Sequence, residues 1–248
     1  MPPDRPHCDC NDAWKMRGRE VDLHEEAQDT TSNAWRSVCQ YIDDLAASGI
    51  DAEFKPRDVM SDEDFFSLVT LPRSIGKLQA VTSFHIYGSA ITHLPPEIGM
   101  LTNLRSFTPY TSYRPHWFPY EITRCRSLRV STVSTRALYG NFKHRNPFPD
   151  LRKQRAYLET IRPDTCSVCD QPLPDDFLTR WVSLWVATDV LPLLVFACDG
   201  HCLAKIPEPA DNYISKLHQG GRSIEQPPDE MEARFGVKPH EQTDFQNE

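Results

Sequence analysis

The chain has 248 residues, 39% hydrophobic and 25% charged, with a formal net charge of −8 and an enrichment to 21 prolines. This length buries one large core or two small ones, and the composition is ordinary for a soluble chain. The opening "MPPDRPHCDC" has no apolar run and predicts no secretory leader, while the most apolar stretch, residues 181–198, is broken by Asp189 and Pro192 and is too short to span a bilayer. A cytoplasmic location is therefore expected, where the eight cysteines serve as reduced thiols or metal ligands rather than disulfides.

Charge is unevenly spread along the chain. Residues 1–70 carry a net −9, residues 71–163 a net +10 and residues 164–248 a net −9. Either the acidic ends neutralise the basic middle within one molecule, or the middle meets an acidic partner or a nucleic acid. No nucleic-acid motif accompanies the charge, which favours the first.

In chain order, residues 1–29 read as a loosely ordered N-terminus. His7, Cys8 and Cys10 form a small cluster there that could bind metal only weakly. Residues 30–63 hold a helix and lead-in. Thr31 or Ser32 is the N-cap and Gly49 the stop, with Trp35, Val38, Cys39, Ile42, Leu45 and Ala46 on one face at helical spacing. Such a face needs cover, and the nearest apolar surface is the segment that follows.

Between residues 64 and 142 three segments align: "LPRSIGKLQAV" from Leu71, "LPPEIGMLTNL" from Leu94 and "FPYEITRCRSL" from Phe118, starting 23 and then 24 residues apart. Neither a lone helix nor a lone strand has this period. A short strand, a turn and a return segment carrying Leu and Ile does.

The chain here resembles the leucine-rich repeat, in the subtype with an LPxxIGxL return known from plants and bacteria. The resemblance implies parallel strands near 82–88, 105–110 and 129–134. Ser89 and Ser112 stand where that family usually has Asn, and Pro109 occupies a strand end where it cannot donate a ladder bond. So short an array needs caps at both ends.

Repeats of this kind present the exposed strand residues on a concave face, implying a protein-binding surface. Strand alternation selects His85, Tyr87, Thr108, Tyr110, Thr132 and Ser134, with Arg136 just beyond and Tyr113 and Trp117 in the irregular loop. No Ser lies in a glycine-flanked elbow and no acid is placed to orient His85 or His116, so catalysis is not expected.

Residues 143–164 connect to a module at 165–225. Cys166-x2-Cys169 and Cys198-x3-Cys202, separated by 28 residues, could saturate a tetrahedral Zn2+. His201 rivals Cys202, because Cys198-x2-His201 keeps the commoner interval. "RWVSLWVAT" and "LPLLVFAC" predict a β-hairpin between the pairs, and hairpin and turns together resemble a zinc ribbon. A thioredoxin-like redox role for Cys166 and Cys169 is the alternative, but the Pro-rich "DQPLPDD" cannot start the helix that chemistry needs. Residues 226–248 are an acidic, Pro-rich tail.

The fold class expected is α/β: a short leucine-rich-repeat solenoid with an N-terminal capping helix and a small C-terminal zinc-bound β-module. The function expected is non-enzymatic recognition of a protein partner, with no membrane association. Nucleic-acid binding by the basic repeat region and a CxxC redox enzyme are the alternatives.

Overall fold

Helix α1 (Asn33–Ser48) begins where the caps predict. The Ser32 hydroxyl accepts from the Trp35 amide at 3.1 Å, and Gly49 closes the helix in the left-handed region at φ 60°. Ala34, Val38 and Ile42 are buried, and Trp35, Leu45 and Ala46 pack partly against the same core. An ion pair from Lys77 to Asp43 at 2.8 Å ties the helix to the first repeat. The protein is seen in a computed structural model that describes Cys10 and residues 19–49, 52–136, 138–142 and 146–228.

Strands β1 (Ala52–Phe54), β2 (Val81–His85), β3 (Ser106–Thr108) and β5 (Val130–Ser131) form a four-stranded parallel sheet in the order β1-β2-β3-β5. Its register places Phe84 beside Phe54 and Phe107 beside Phe84. The Phe54 and Phe84 rings stack at 4.7 Å, and the Phe84 and Phe107 rings meet tilted at 5.9 Å, on the buried side of the sheet. The strands are shorter than the repeat predicts, although single bonds carry the pairing on, from the Ile86 amide to the Thr108 carbonyl at 3.3 Å and from the Gly88 amide to the Tyr110 carbonyl at 2.9 Å, up to the turns at Gly88, with φ 68°, and Thr111, with φ 55°. Strand β1 was not foreseen: "AEF" is too short to show alternation.

Opposite the sheet, three 3-10 turns stack at Arg73–Lys77, Pro96–Met100 and Tyr120–Arg124. Each follows an extended proline at its N-cap (Pro72, Pro95 and Pro119), and each sends an Ile into the core (Ile75, Ile98 and Ile122). This is the physical content of the Leu-Pro and Ile-Gly recurrence. The glycine permits close stacking: a Cβ at Gly99 would lie 2.4 Å from the Glu121 carbonyl oxygen of the next turn.

Ser89 and Ser112 form a buried polar ladder between units. The Ser112 hydroxyl donates to the Ile86 carbonyl at 2.8 Å and accepts from the Ser89 amide at 3.0 Å, and the two hydroxyl oxygens lie 3.0 Å apart. In the next unit the Ser134 hydroxyl makes the corresponding link, accepting from the Thr111 amide at 2.8 Å, while Thr135, 23 residues after Ser112, is buried beside it. Ser112→Ala should cost about 1–3 kcal/mol in denaturant unfolding, because it leaves the buried Ser89 hydroxyl without its partner, while the Ser89 amide keeps its 3.1 Å bond to the Ile86 carbonyl. An unchanged midpoint would show that the ladder carries no stability.

The second sheet has the order β4-β7-β6. Strands β6 (Leu178–Val186) and β7 (Asp189–Ala197) form the expected antiparallel hairpin. Strand β4 (Phe118–Pro119) pairs in parallel with β7, Phe118 against Leu193. The hairpin is thereby built into the repeat region, and a single apolar cluster runs from Val21 to Ile214. The hairpin tip also meets the last parallel strand. The Ser131 amide donates to the Thr188 hydroxyl at 3.0 Å, the Ser131 hydroxyl to the Val186 carbonyl at 2.8 Å and the Val133 amide to Asp189 at 3.1 Å. An edge that would otherwise present unpaired backbone groups is closed in this way.

Short helices α2 (Asp62–Ser67), α3 (Arg155–Thr160) and α4 (Gly200–Leu203) complete a mixed α/β architecture with few helices. The loosely ordered N-terminus expected for residues 1–29 does not describe its second part. Val21 and Leu23 are buried, and the Gln28 side chain accepts from the Val69 amide at 2.7 Å. His7, Cys8 and residues 229–248 of the expected tail lie outside the described residues. Among the described residues no helix is long and apolar enough to cross a membrane.

Candidate metal centre and exposed sheet face

The two cysteine pairs meet at the open end of the β6–β7 hairpin, where the antiparallel register sets Leu178 beside Ala197. Cys166 and Cys169 lie on the turn before β6, and Cys198 and Cys202 lie after β7. The four sulfurs all fall within 4.8 Å of one another. Cys169 Sγ is 3.3 Å from Cys198 Sγ, and Cys198 Sγ is 3.7 Å from Cys202 Sγ. A tetrahedral ion with metal–sulfur bonds of ~2.3 Å sets sulfur–sulfur edges of ~3.8 Å, whereas a disulfide needs ~2.05 Å. The spacing suits four thiolates around one cation, and the cysteines are unbridged. Cys166 and Cys202 are buried, Cys169 and Cys198 half-buried. His201 is exposed on α4 and stands outside the cluster, so Cys202 completes it.

Local backbone explains how the sulfurs converge. The Val168 amide points at Cys166 Sγ at 3.4 Å, and Asp170 turns the chain at φ 60°. Asp199 caps α4 by accepting from the Cys202 amide at 2.8 Å. Ser167, which sequence reasoning passed over, clamps the first turn onto β7. Its amide donates to the Phe196 carbonyl at 2.7 Å, and its hydroxyl accepts from the Phe196 amide at 3.0 Å.

Three of these thiols are displaced from the ordinary thiol range by their neighbours and by burial. The Gln171 amide and the Cys198 thiol lower Cys169 to about 7. The neighbouring Cys169 and Cys166 push Cys198 up, and burial raises Cys202 to about 11. Four thiolates this close repel one another, and a bound dication removes that conflict.

The centre is anchored to the third repeat. Arg124 donates to the Ser167 carbonyl at 2.8 Å and pairs with Asp170 at 2.7 Å. The buried Glu121 carboxyl beside it is raised to about 7 by desolvation, against the hydrogen bond from Ser167.

The strand positions expected for Tyr87 and Tyr110 fall in the turns just after β2 and β3, where the two side chains are 48% and 45% exposed, with ring centroids 5.8 Å apart. Tyr113 is exposed as well, while His85, Thr108, Thr132 and Ser134 are half-buried in the same rows. Ser134 also serves the fold, accepting from the Thr111 amide at 2.8 Å, and exposed Arg136 pairs with Asp189 at 3.2 Å.

Trp117 does not belong to this face. It is only 4% exposed and stacks on His93 at 5.7 Å. The irregular loop turns it inward, where it walls a cleft of about 390 Å³ that Pro119, Glu121 and Phe196 also line. Strand alternation puts Trp181, Ser183 and Trp185 on one face of β6, yet Trp181 is fully buried and Trp185, near the hairpin tip, is 65% exposed.

The basic middle is paired with the acidic ends. Lys77 meets Asp43, Arg73 meets Asp164 at 2.6 Å, Lys153 meets Glu20 at 3.3 Å, and Arg114 meets Glu26. No family model matches the chain, and no curated protein matches it.

Proposed function

We propose that the chain is a short leucine-rich-repeat solenoid that binds a protein partner on its exposed sheet face, with a structural Zn2+ held by Cys166, Cys169, Cys198 and Cys202. The observation that carries the binding reading is the exposed Tyr87–Tyr110 pair, supported by Tyr113, in the turns just after β2 and β3, where the Gly88 amide donates to the Tyr110 carbonyl at 2.9 Å. Exposed tyrosines on a rigid support offer large contact area at small entropic cost, and His85, Thr108, Thr132, Ser134 and Arg136 supply polar contacts around them. A metal centre with four protein ligands has no open position for substrate, which suits a scaffold rather than a catalyst. Pairing of the basic middle with Asp43, Glu20, Glu26 and Asp164 weighs against a nucleic-acid surface.

The test is photo-crosslinking from position 110 and, as control, from exposed Met100, followed by affinity measurement on the purified partner. The partner should be trapped from position 110 only. Tyr87→Ala/Tyr110→Ala should weaken its binding at least tenfold while changing unfolding stability by less than about 1 kcal/mol. Full affinity in the double variant would refute the face.

A further inference from the structure

We infer that Cys10, His24 and His116 form a second metal site that takes a divalent ion of the zinc class. Their donor atoms lie within 4.8 Å of one another. Cys10 Sγ is 3.9 Å from His24 Nε2, and the two imidazole rings sit 4.1 Å apart between centroids, tilted by 50°. A tetrahedral zinc ion with metal–nitrogen bonds of ~2.0 Å and a metal–sulfur bond of ~2.3 Å sets donor–donor edges of ~3.3–3.6 Å. The observed sulfur–nitrogen separation is within a few tenths of an ångström of that. Two imidazoles and one thiolate are a donor set suited to zinc, where a purely oxygen set would suit magnesium or calcium.

The three residues come from distant parts of the chain, and the fold positions them rather than chance surface proximity. His116 is 1% exposed in the loop before β4, and its ring stands nearly perpendicular to the Tyr139 ring at 6.4 Å between centroids. Cys10 and His24 are half-buried, and Val21 and Leu23 bury the segment around His24. Two residues further on, Glu26 pairs with Arg114, which lies two residues before His116. The N-terminal segment and the loop therefore run in opposite senses, with Glu26 facing Arg114 and His24 facing His116. An ion held there would staple the N-terminal segment onto the repeat region. Three protein donors leave one tetrahedral position for water or an exogenous ligand, unlike the closed four-cysteine centre. The two centres share no residue, so either can stand if the other fails.

Total zinc in the purified full-length chain, compared across variants, tests the site. The wild type should carry two ions per chain, and Cys10→Ser and His24→Ala one each, with unfolding still cooperative. Cys202→Ser should lose the other ion and keep this one. Cobalt substitution supplies a second readout: the ion lost in Cys10→Ser should show weaker thiolate charge-transfer absorption than the one lost in Cys202→Ser, because it has one sulfur ligand against four. A wild type whose whole zinc content is retained in both Cys10→Ser and His24→Ala, whether one ion or two, would overturn the site; a single ion lost in those two variants and kept in Cys202→Ser would instead leave this site standing and remove the other.

Discussion

Cys166→Ser is expected to strip the ion from the four-cysteine centre and to cost the chain more than about 4 kcal/mol. Structural zinc sites in small modules carry ~10–16 kcal/mol of apparent binding free energy, and losing a metal is among the few single changes that exceed ~4 kcal/mol. Cys166 is fully buried, and the turn it begins is hydrogen-bonded to β7 through Ser167 and to the third repeat through Arg124. Loosening that turn exposes one end of the hairpin whose other end closes the parallel sheet at Ser131. The loss should therefore be felt beyond the turn itself. Denaturant unfolding with parallel metal analysis checks this, and an intact midpoint with the ion gone would show that the metal does not hold the fold.

Phe107→Ala should cost about 3–5 kcal/mol, the usual range for emptying a buried aromatic site. Its ring is fully buried, meets Phe84 at a 37° tilt at 5.9 Å and meets Phe118 edge-on at 5.8 Å. Phe118 begins the strand that pairs with β7, so Phe107 lies where the cores of the two sheets join. Phe107→Leu keeps much of the volume and should cost clearly less. A loss well below about 3 kcal/mol for Phe107→Ala would mean that packing at this junction is loose.

What could be read from the sequence follows from how local each signal is. The caps of α1 involve neighbours within three residues, and Ser32 and Gly49 stand where their side-chain chemistry put them. The Leu-Pro and Ile-Gly recurrence encodes the 3-10 turns, because proline sets the entry and the glycine at position 99 admits the next turn's carbonyl. The cysteine spacing and alternating hairpin likewise announced where the four sulfurs converge. Long-range placements were not legible. Trp117 looked like an exposed loop aromatic until its stack on His93 fixed it inside. The pairing of Cys10 and His24 spans 14 residues, and their partner His116 comes from another unit, so no spacing motif announces the group. The burial of Val21 and Leu23 likewise depends on a surface that exists only once the repeats have stacked.

The most direct measurement is site-resolved alkylation of Cys166, Cys169, Cys198 and Cys202 in the native protein, mapped by mass before and after a chelator. One closed metal centre predicts that all four resist modification and become reactive together when the ion is withdrawn. Rapid modification of Cys169 in the untreated protein, with Cys198 and Cys202 unaffected by the chelator, would contradict it and put thiol chemistry at Cys166 and Cys169 in its place.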